Sequence, residues 1–199
     1  MKILAVADIH CYSTGFNINV KECSIDLIVS LGDVPHDIIE LILLKKKNVP
    51  YFGVHGNHDI PKTVLKDDSQ YEQKEALEDI IPKLYNVHLE VRELTGLTIG
   101  GFEGSWKYKP HNGRYQYTDE QVRKKLKNFS YVDIFIAHNP VAGIHDSNDN
   151  VHNGFSAFKE YIERTNPKLF LHGHVQKNQE SYLGKTRIVS VCGKRVIEI

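Results

Sequence analysis

At 199 residues the chain fits a single domain, residues 1–199, with room for a substantial core and no need of disulfide staples. Its 25 basic and 25 acidic residues cancel, which removes any global field that would gather long nucleic acid or an anionic membrane. The three cysteines, Cys11, Cys23 and Cys192, are odd in number and lack zinc-like spacing, no apolar run approaches the roughly 18 residues of a membrane span, and no leader-like segment precedes the first strand, so a cytoplasmic protein is expected.

Residues 2–7 are an apolar run rich in Ile, Leu and Val, as expected of a strand buried on both faces, and Asp8-Ile9-His10 ends it. Residues 17–23 suit a short helix. A second strand, 26–31, is ended by Gly32-Asp33. Pro35 then opens a helix to about residue 46, with Ile38, Leu41, Ile42 and Lys45 three to four apart and Lys45-Lys46-Lys47 at the negative end of its dipole. The strand 50–54 runs into Val54-His55-Gly56-Asn57-His58-Asp59, where glycine implies a sharp turn and is followed by an amide, an imidazole and a carboxylate. Residues 62–73 are polar and read as an exposed excursion, with a helix following near 71–81 ahead of Pro82. Residues 86–93 and 97–102 read as strands about the turn-prone Thr95-Gly96.

The stretch 106–117 holds the only tryptophan together with Tyr108, His111, Arg114, Tyr115 and Tyr117. It reads two ways: a substrate wall on which rings stack, or a loop whose Trp106 caps the core. Thr118 and Gln121 have capping-box spacing and open a helix to about residue 128, whose Arg123, Lys124, Lys125 and Lys127 make a solvated face. The strand 132–137 ends in His138-Asn139, a polar loop follows to residue 153, and 154–164 is amphipathic with Phe155, Phe158, Tyr161 and Ile162 on a core-facing stripe. The strand 168–171 leads into His172-Gly173-His174-Val175-Gln176, and 187–199 offers two strands joined near Gly193. Alternating strands and helices, with strand pairs in the middle and at the end, indicate an α/β protein of two packed sheets flanked by helices.

Five strand ends thus carry a carboxylate, an imidazole or an amide, and the loops beyond strand C-termini are where α/β sheets bind ligands. The ordered motifs D-x-H, G-D, G-N-H-D, H-N and a closing G-H segment, from Asp8 to Gln176, resemble those of the calcineurin-like metallophosphoesterases. The stretches 99–106, 139–145 and 167–175 look like its small subfamily of metallophosphoesterase-domain proteins of brain and their microbial relatives. The resemblance implies a four-layer sandwich of two mixed β-sheets flanked by helices, and a dinuclear phosphoesterase whose metal-bridging hydroxide attacks the ester. By resemblance one metal takes Asp8, His10, Asp33 and Gln176, and the other Asp33, Asn57, His138 and His174, with Asp33 bridging. The oxygen and nitrogen donors suit Mn²⁺ foremost, with Fe, Zn²⁺ and Mg²⁺ also compatible.

In the family the histidine after the metal-binding asparagine protonates the leaving oxygen, a role that falls to His58 with Asp59 orienting it. Trp106, Tyr108 and His152 are expected beside substrate, His55 and His36 are not, and His172 is expected to turn away from the metals. The family's last motif usually ends in a second metal-binding histidine; here Gln176 offers only a neutral carbonyl oxygen, so the first metal should be the weaker. The expected substrate is a small phosphodiester, with a cyclic nucleotide among the candidates. The rival readings are a phosphomonoesterase, a nuclease, or a non-catalytic metal-binding scaffold with a weakened first metal. No oligomeric state follows from the sequence.

Overall fold

The computed structural model describes residues 1–9, 24–59, 62–67, 70–74, 84–110, 113–147 and 149–199, with backbone only for 62–67 and 70–74. His10, Cys11, Cys23, His111, the expected helix 17–23 and residues 75–81 of the expected helix 71–81 lie outside them.

Successive side chains of a strand point to opposite faces. Along β1 (Lys2–Ala7), Ile3, Ala5 and Ala7 enter one apolar cluster and Leu4 and Val6 another, all almost fully buried. A strand covered on both faces has no polar face to expose, which is why it reads as an unbroken apolar run. The same holds for β2 (Leu27–Ser30), β11 (Ile134–Ala137) and β12 (Leu169–His172), buried at every position.

β2, β3 (Tyr51–Gly53) and β6 (Leu84–Asn86) extend β1 in parallel, and β15 (Gly193–Glu198) pairs antiparallel on its other side, giving the order β15-β1-β2-β3-β6. The second sheet is also mixed. β8 (Leu97–Phe102), β11, β12 and β14 (Thr186–Ser190) are parallel, with β7 (Val91–Leu94) and β13 (Gln179–Leu183) antiparallel at the edges, in the order β13-β14-β12-β11-β8-β7. A short parallel pair, β9 (Ser105–Trp106) and β10 (Gln116–Tyr117), closes the aromatic loop between them.

Ile3, Ala5, Leu27 and Val29 meet Ile99, Ile134, Leu169 and Val189 between the sheets. Outside the first sheet, α1 (His36–Lys45) lays Ile39 and Ile42 on Leu4, Val6 and Ile28. Outside the second, α2 (Asp119–Leu126) and α3 (Ser156–Thr165) place Val122, Leu126, Phe158, Tyr161 and Ile162 on Phe102, Phe135, Phe170 and Ile188. The result is the expected sandwich of helix, sheet, sheet and helix. Among the described residues no helix is long and apolar enough to cross a membrane.

The Thr118–Gln121 capping box forms reciprocally: the Thr118 hydroxyl accepts from the Gln121 amide at 3.3 Å and the Thr118 amide donates to the Gln121 side chain at 2.8 Å. On the exposed face of α2, Arg123 pairs with Asp119 and Glu160.

Two readings change, and one strand, β13, has no counterpart in the sequence reading. Residues 62–74 are not a structureless excursion running into a helix at 71: β4 (Lys62–Asp67) and β5 (Gln70–Lys74) form an antiparallel hairpin apart from both large sheets. The stretch 86–93 is not one strand. β6 ends at Asn86 in the first sheet and β7 begins at Val91 in the second, with buried Val87 crossing between them. β13, an edge strand with no buried residue, lacks the apolar run that marks its neighbours.

Phe135 sits among Phe129, Phe158, Tyr161 and Phe170, with ring centroids 4.7 to 6.0 Å away. Phe135→Ala should cost about 3–5 kcal/mol, read as a lower denaturant midpoint at unchanged slope. A loss below about 1 kcal/mol would mean that the surrounding rings collapse into the gap.

Candidate active site

The C-terminal ends of β1, β2, β3, β11 and β12 lead directly into Asp8, Asp33, the segment 55–59, His138 and His174. Asp8 (φ 53°), Asp33 (φ 56°), His174 (φ 69°) and Gln176 (φ 52°) all hold left-handed backbone, which costs a residue with a side chain and persists where the surroundings enforce it. Gly56 does not have positive φ; its reason is space. A Cβ there would stand 2.0 Å from Asp33 Oδ1, and one on Gly32 would stand 2.4 Å from the Gly56 nitrogen. The two glycines let the G-D and G-N-H-D turns lie backbone against backbone.

Asp8, Asp33 and His138, all buried, each bring a ligand atom within 4.8 Å of the others, a group that could hold a metal ion. The His138 ring has its tautomer set. Nδ1 lies 2.8 Å from the Leu31 carbonyl, which can only accept, so Nδ1 carries the proton. In the neutral ring Nε2 then presents a lone pair 3.0 Å from Asn57 Oδ1 and 3.5 Å from Asp33 Oδ2. The Asn57 amide nitrogen donates to the Tyr108 hydroxyl at 3.3 Å, which keeps Oδ1 turned toward His138. Lone pairs thus face one another, and buried Asp8 Oδ2 has no hydrogen-bond partner among the described residues. Such a donor set fits divalent cations.

The charges suffer accordingly. Burial, reinforced by the Asp33 charge, pushes the Asp8 carboxyl well above the usual carboxylate range. Burial, with Asp33 again the next cause, pushes Asp59 up to about 7. Asp59 Oδ2 accepts from the Gly56 amide at 2.7 Å and the Asp33 amide at 3.0 Å, clipping the two turns together. His58 is exposed, and its amide donates to Asp33 Oδ1 at 2.8 Å. Burial, then the nearby His138, holds His174 well below the ordinary imidazole range. Its Nε2–H donates to the Val151 carbonyl at 2.9 Å, leaving Nδ1 unprotonated, as a metal-binding imidazole requires.

Around this centre the expected substrate residues separate. Trp106 is half-buried with its ring 5.8 Å from Phe155, and its amide donates to Asn139 Oδ1, the arrangement of a core cap. Tyr108 reaches Asn57 through its hydroxyl. His152 packs its ring 4.9 Å from that of His174, and its Nδ1 donates to Asp149 Oδ2 at 2.6 Å. His172 does turn away: Ser181 donates to His145 Nε2, His145 Nδ1–H to His172 Nε2, and His172 Nδ1–H to the Gly173 carbonyl. Burial takes His172 down to about 3. His55 is buried and stacks on Tyr115 at 4.4 Å. Gln176 is exposed beyond His174.

Sequence reasoning gave no role to Asn139 or Asp149. Buried Asn139 ties the Trp106 amide to the Asn153 carbonyl. Asp149 Oδ1 accepts from the Val151 and His152 amides, an Asx-type turn that the spacing of Asp149 and His152 could have suggested.

A sandwich whose parallel strands deliver carboxylates and imidazoles to one buried cluster defines an α/β metallohydrolase. A family model described as calcineurin-like phosphoesterase matches residues 1–178, and the chain belongs to that family of metal-dependent phosphoester hydrolases. The uncharacterized protein MJ1162 of Methanocaldococcus jannaschii is 24% identical over 209 residues, covering 98% of this chain and 89% of its own. The crystal structure of TT1561 of Thermus thermophilus superposes with a TM-score of 0.58 at 15% identity, over 96% of this chain and 89% of that one. The phosphopantetheinyl hydrolase PptH of Mycobacterium tuberculosis gives 0.59 at 13% identity over the same shares. A Staphylococcus aureus protein described as a putative 5′-nucleotidase gives 0.56 at 12% identity, over 96% of this chain and 48% of that one. At these identities the structural likeness is one of fold.

Asp59 in the unfolded chain gives up its proton near 3.8, but in the folded, metal-free protein only near 7. Between those values the folded state holds the extra proton, so this residue's contribution to stability falls as pH rises through the window and stays low above it. Asp59→Asn keeps an acceptor for the Gly56 and Asp33 amides but does not titrate. The melting temperature of the metal-stripped variant, minus that of metal-stripped wild type, should therefore climb between about pH 4 and pH 7. A flat difference would show that the Asp59 carboxyl is unperturbed.

Proposed function

We propose that the chain hydrolyses a small phosphodiester in the cytoplasm, a nucleotide ester foremost and a cyclic nucleotide among the candidates. In this reading Asp8, His10, Asp33 and Gln176 hold one divalent cation, and Asp33, Asn57, His138 and His174 a second, with Mn²⁺ the first to test and Fe, Zn²⁺ and Mg²⁺ also compatible with the mixed donors. The observation that carries the reading is the convergence of Asp8, Asp33 and His138 on one buried point, with Asp8 Oδ2 unpartnered among the described residues and His138 Nε2 facing Asn57 Oδ1. Uncompensated, two buried carboxylates are a large cost to folding; with cations among them they become a site. A scaffold with no metal would have no use for that cost.

When bound, the cations neutralise charge on the phosphoryl oxygens and make water nucleophilic at neutral pH. The chain's own groups do the rest. His58, whose amide is fixed by Asp33 Oδ1, donates a proton to the leaving oxygen. Asp59 supports it through the turn, since its carboxylate is spent on the Gly56 and Asp33 amides. Val151, through its carbonyl, keeps the proton of His174 on Nε2. Tyr108 steadies the Asn57 amide and, with His152, borders the substrate.

Hydrolysis of a panel of mono-, di- and cyclic phosphate esters by metal-stripped and Mn²⁺-loaded protein tests the reading. Turnover of a diester that depends on metal is expected, and a loaded protein that cleaves no diester overturns it. His58→Ala should leave metal content unchanged and slow turnover by about 10² to 10⁴, less for a nitrophenyl ester whose leaving group needs little protonation. An equal loss for good and poor leaving groups would assign His58 to substrate positioning.

The neutral Gln176 oxygen should make one cation weaker than the other. Titrating Mn²⁺ into stripped protein, with heat and rate followed together, should give two affinities, and Gln176→His should tighten the weaker. One shared affinity, unchanged in the variant, would remove Gln176 from the metal.

A further inference from the structure

Beside the metal cluster lies a cavity of about 350 Å³ between the loop after β11 and the segment that follows His174. It adjoins the centre directly: His152, which lines it, packs against His174, and Val175 and Lys177, which flank Gln176, form another wall. Among the described residues Val175 is its only aliphatic lining, so an apolar guest would leave polar groups without partners.

Which polar groups remain for a guest follows from those already spent. Both His145 nitrogens are engaged, by His172 and Ser181. Asp149 Oδ1 accepts two amides and Oδ2 the His152 ring. Asp146 spends one bond per oxygen, from the Gly143 amide at 3.1 Å and the Gly154 amide at 3.2 Å; a carboxylate oxygen accepts about two, so capacity is left on each. His152 Nε2, the Lys177 ammonium, the Gln179 side-chain amide and the acceptor side of the Ser147 hydroxyl, whose proton goes to Asp149, complete the set among the described residues. Two carboxylates beside a single ammonium oppose an anion, and the ammonium opposes a cation. Acceptors and donors in alternation suit a neutral group that does both, namely hydroxyls. Carboxylates that accept from ribose hydroxyls are a general solution to that recognition problem. The volume sits at the small end of ligand pockets, room for a sugar ring or a glycerol but not for a whole nucleotide.

We infer that this cavity is a polyol subsite: it receives the hydroxyl-bearing part of the substrate, a ribose or a comparable vicinal diol, while the phosphate lies at the metal cluster. The inference rests on the phosphoesterase reading above and narrows its substrate to esters of polyhydroxylated alcohols. Asp146, Lys177 and Gln179 become specificity residues, and Asp149 the residue that aims His152.

The test compares, on Mn²⁺-loaded protein, kcat/KM for a ribonucleoside 5′-(4-nitrophenyl) phosphate, its 2′,3′-dideoxy counterpart and the sugar-free bis(4-nitrophenyl) phosphate. The ribo ester should exceed the dideoxy ester by about tenfold, as expected when one or two hydrogen bonds to charged groups are lost. Lys177→Met and Gln179→Ala, both at exposed positions, should each reduce that ratio at least threefold, mainly through KM of the ribo ester. A ratio near one with the sugar-free ester still cleaved overturns the subsite and leaves the phosphoesterase standing. A ribo preference that both variants retain places recognition elsewhere and also overturns it. Cleavage of none of the three overturns the activity and the subsite together.

Discussion

Burying two carboxylates within reach of each other is the constraint on which the rest of this structure depends. Asp8 and Asp33 stand at the ends of adjacent parallel strands, both nearly sealed from water, and the charge of Asp33 adds to burial in resisting ionisation of Asp8. An unscreened pair of that kind is unstable in a low-dielectric interior. The surroundings are arranged to make it tolerable. Backbone amides from His58, Gly56 and neighbouring residues point at Asp33 and Asp59, burial holds the His174 imidazole neutral, and His138 and His174 both direct a ring proton outward onto a carbonyl. That pattern of acceptors among the described residues is one that divalent cations would complete.

The left-handed residues belong to the same constraint. Asp8 and Asp33, just past the ends of β1 and β2, take left-handed backbone, which breaks the strand's alternation of side chains between the two faces of the sheet. The apolar layer between the sheets keeps those edges in place, and the aromatic cluster under α2 and α3 braces the second sheet from outside. Stability and chemistry therefore divide by depth along the same strands: Ile3, Val29 and Ile134 serve the first, Asp8, Asp33 and His138 the second.

Much of this was legible in the sequence because burial and chemistry are both written locally. Doubly buried strands such as 2–7 and 134–137 leave continuous apolar runs, and the capping box of Thr118 and Gln121 leaves its own spacing. The residues of the buried cluster were readable because each follows such a run by one or two positions. What escaped depends on contacts distant in sequence or on absent contrast. The edge strand 179–183 has no buried face to mark it, and the hairpin strands 62–67 and 70–74 pair only with each other. The passage from β6 to β7 looks like one strand because the switch of sheets changes neighbours without changing residue type. The chain from Ser181 through His145 to His172 joins three segments whose separate sequences say nothing of one another, and Gly56 turned out to answer to the Asp33 carboxylate and not to its own dihedrals.

The hydrogen bond from the His58 amide to Asp33 Oδ1 has an evolutionary consequence. The carboxylate that joins Asp8 and His138 in the buried cluster also anchors the turn that presents His58, so a change at residue 33 disturbs both in one step. Substitution at position 33 therefore removes a carboxylate of the cluster and unfastens the 56–59 turn together. Gradual change is open instead at the periphery, where Gln176 stands exposed at the rim.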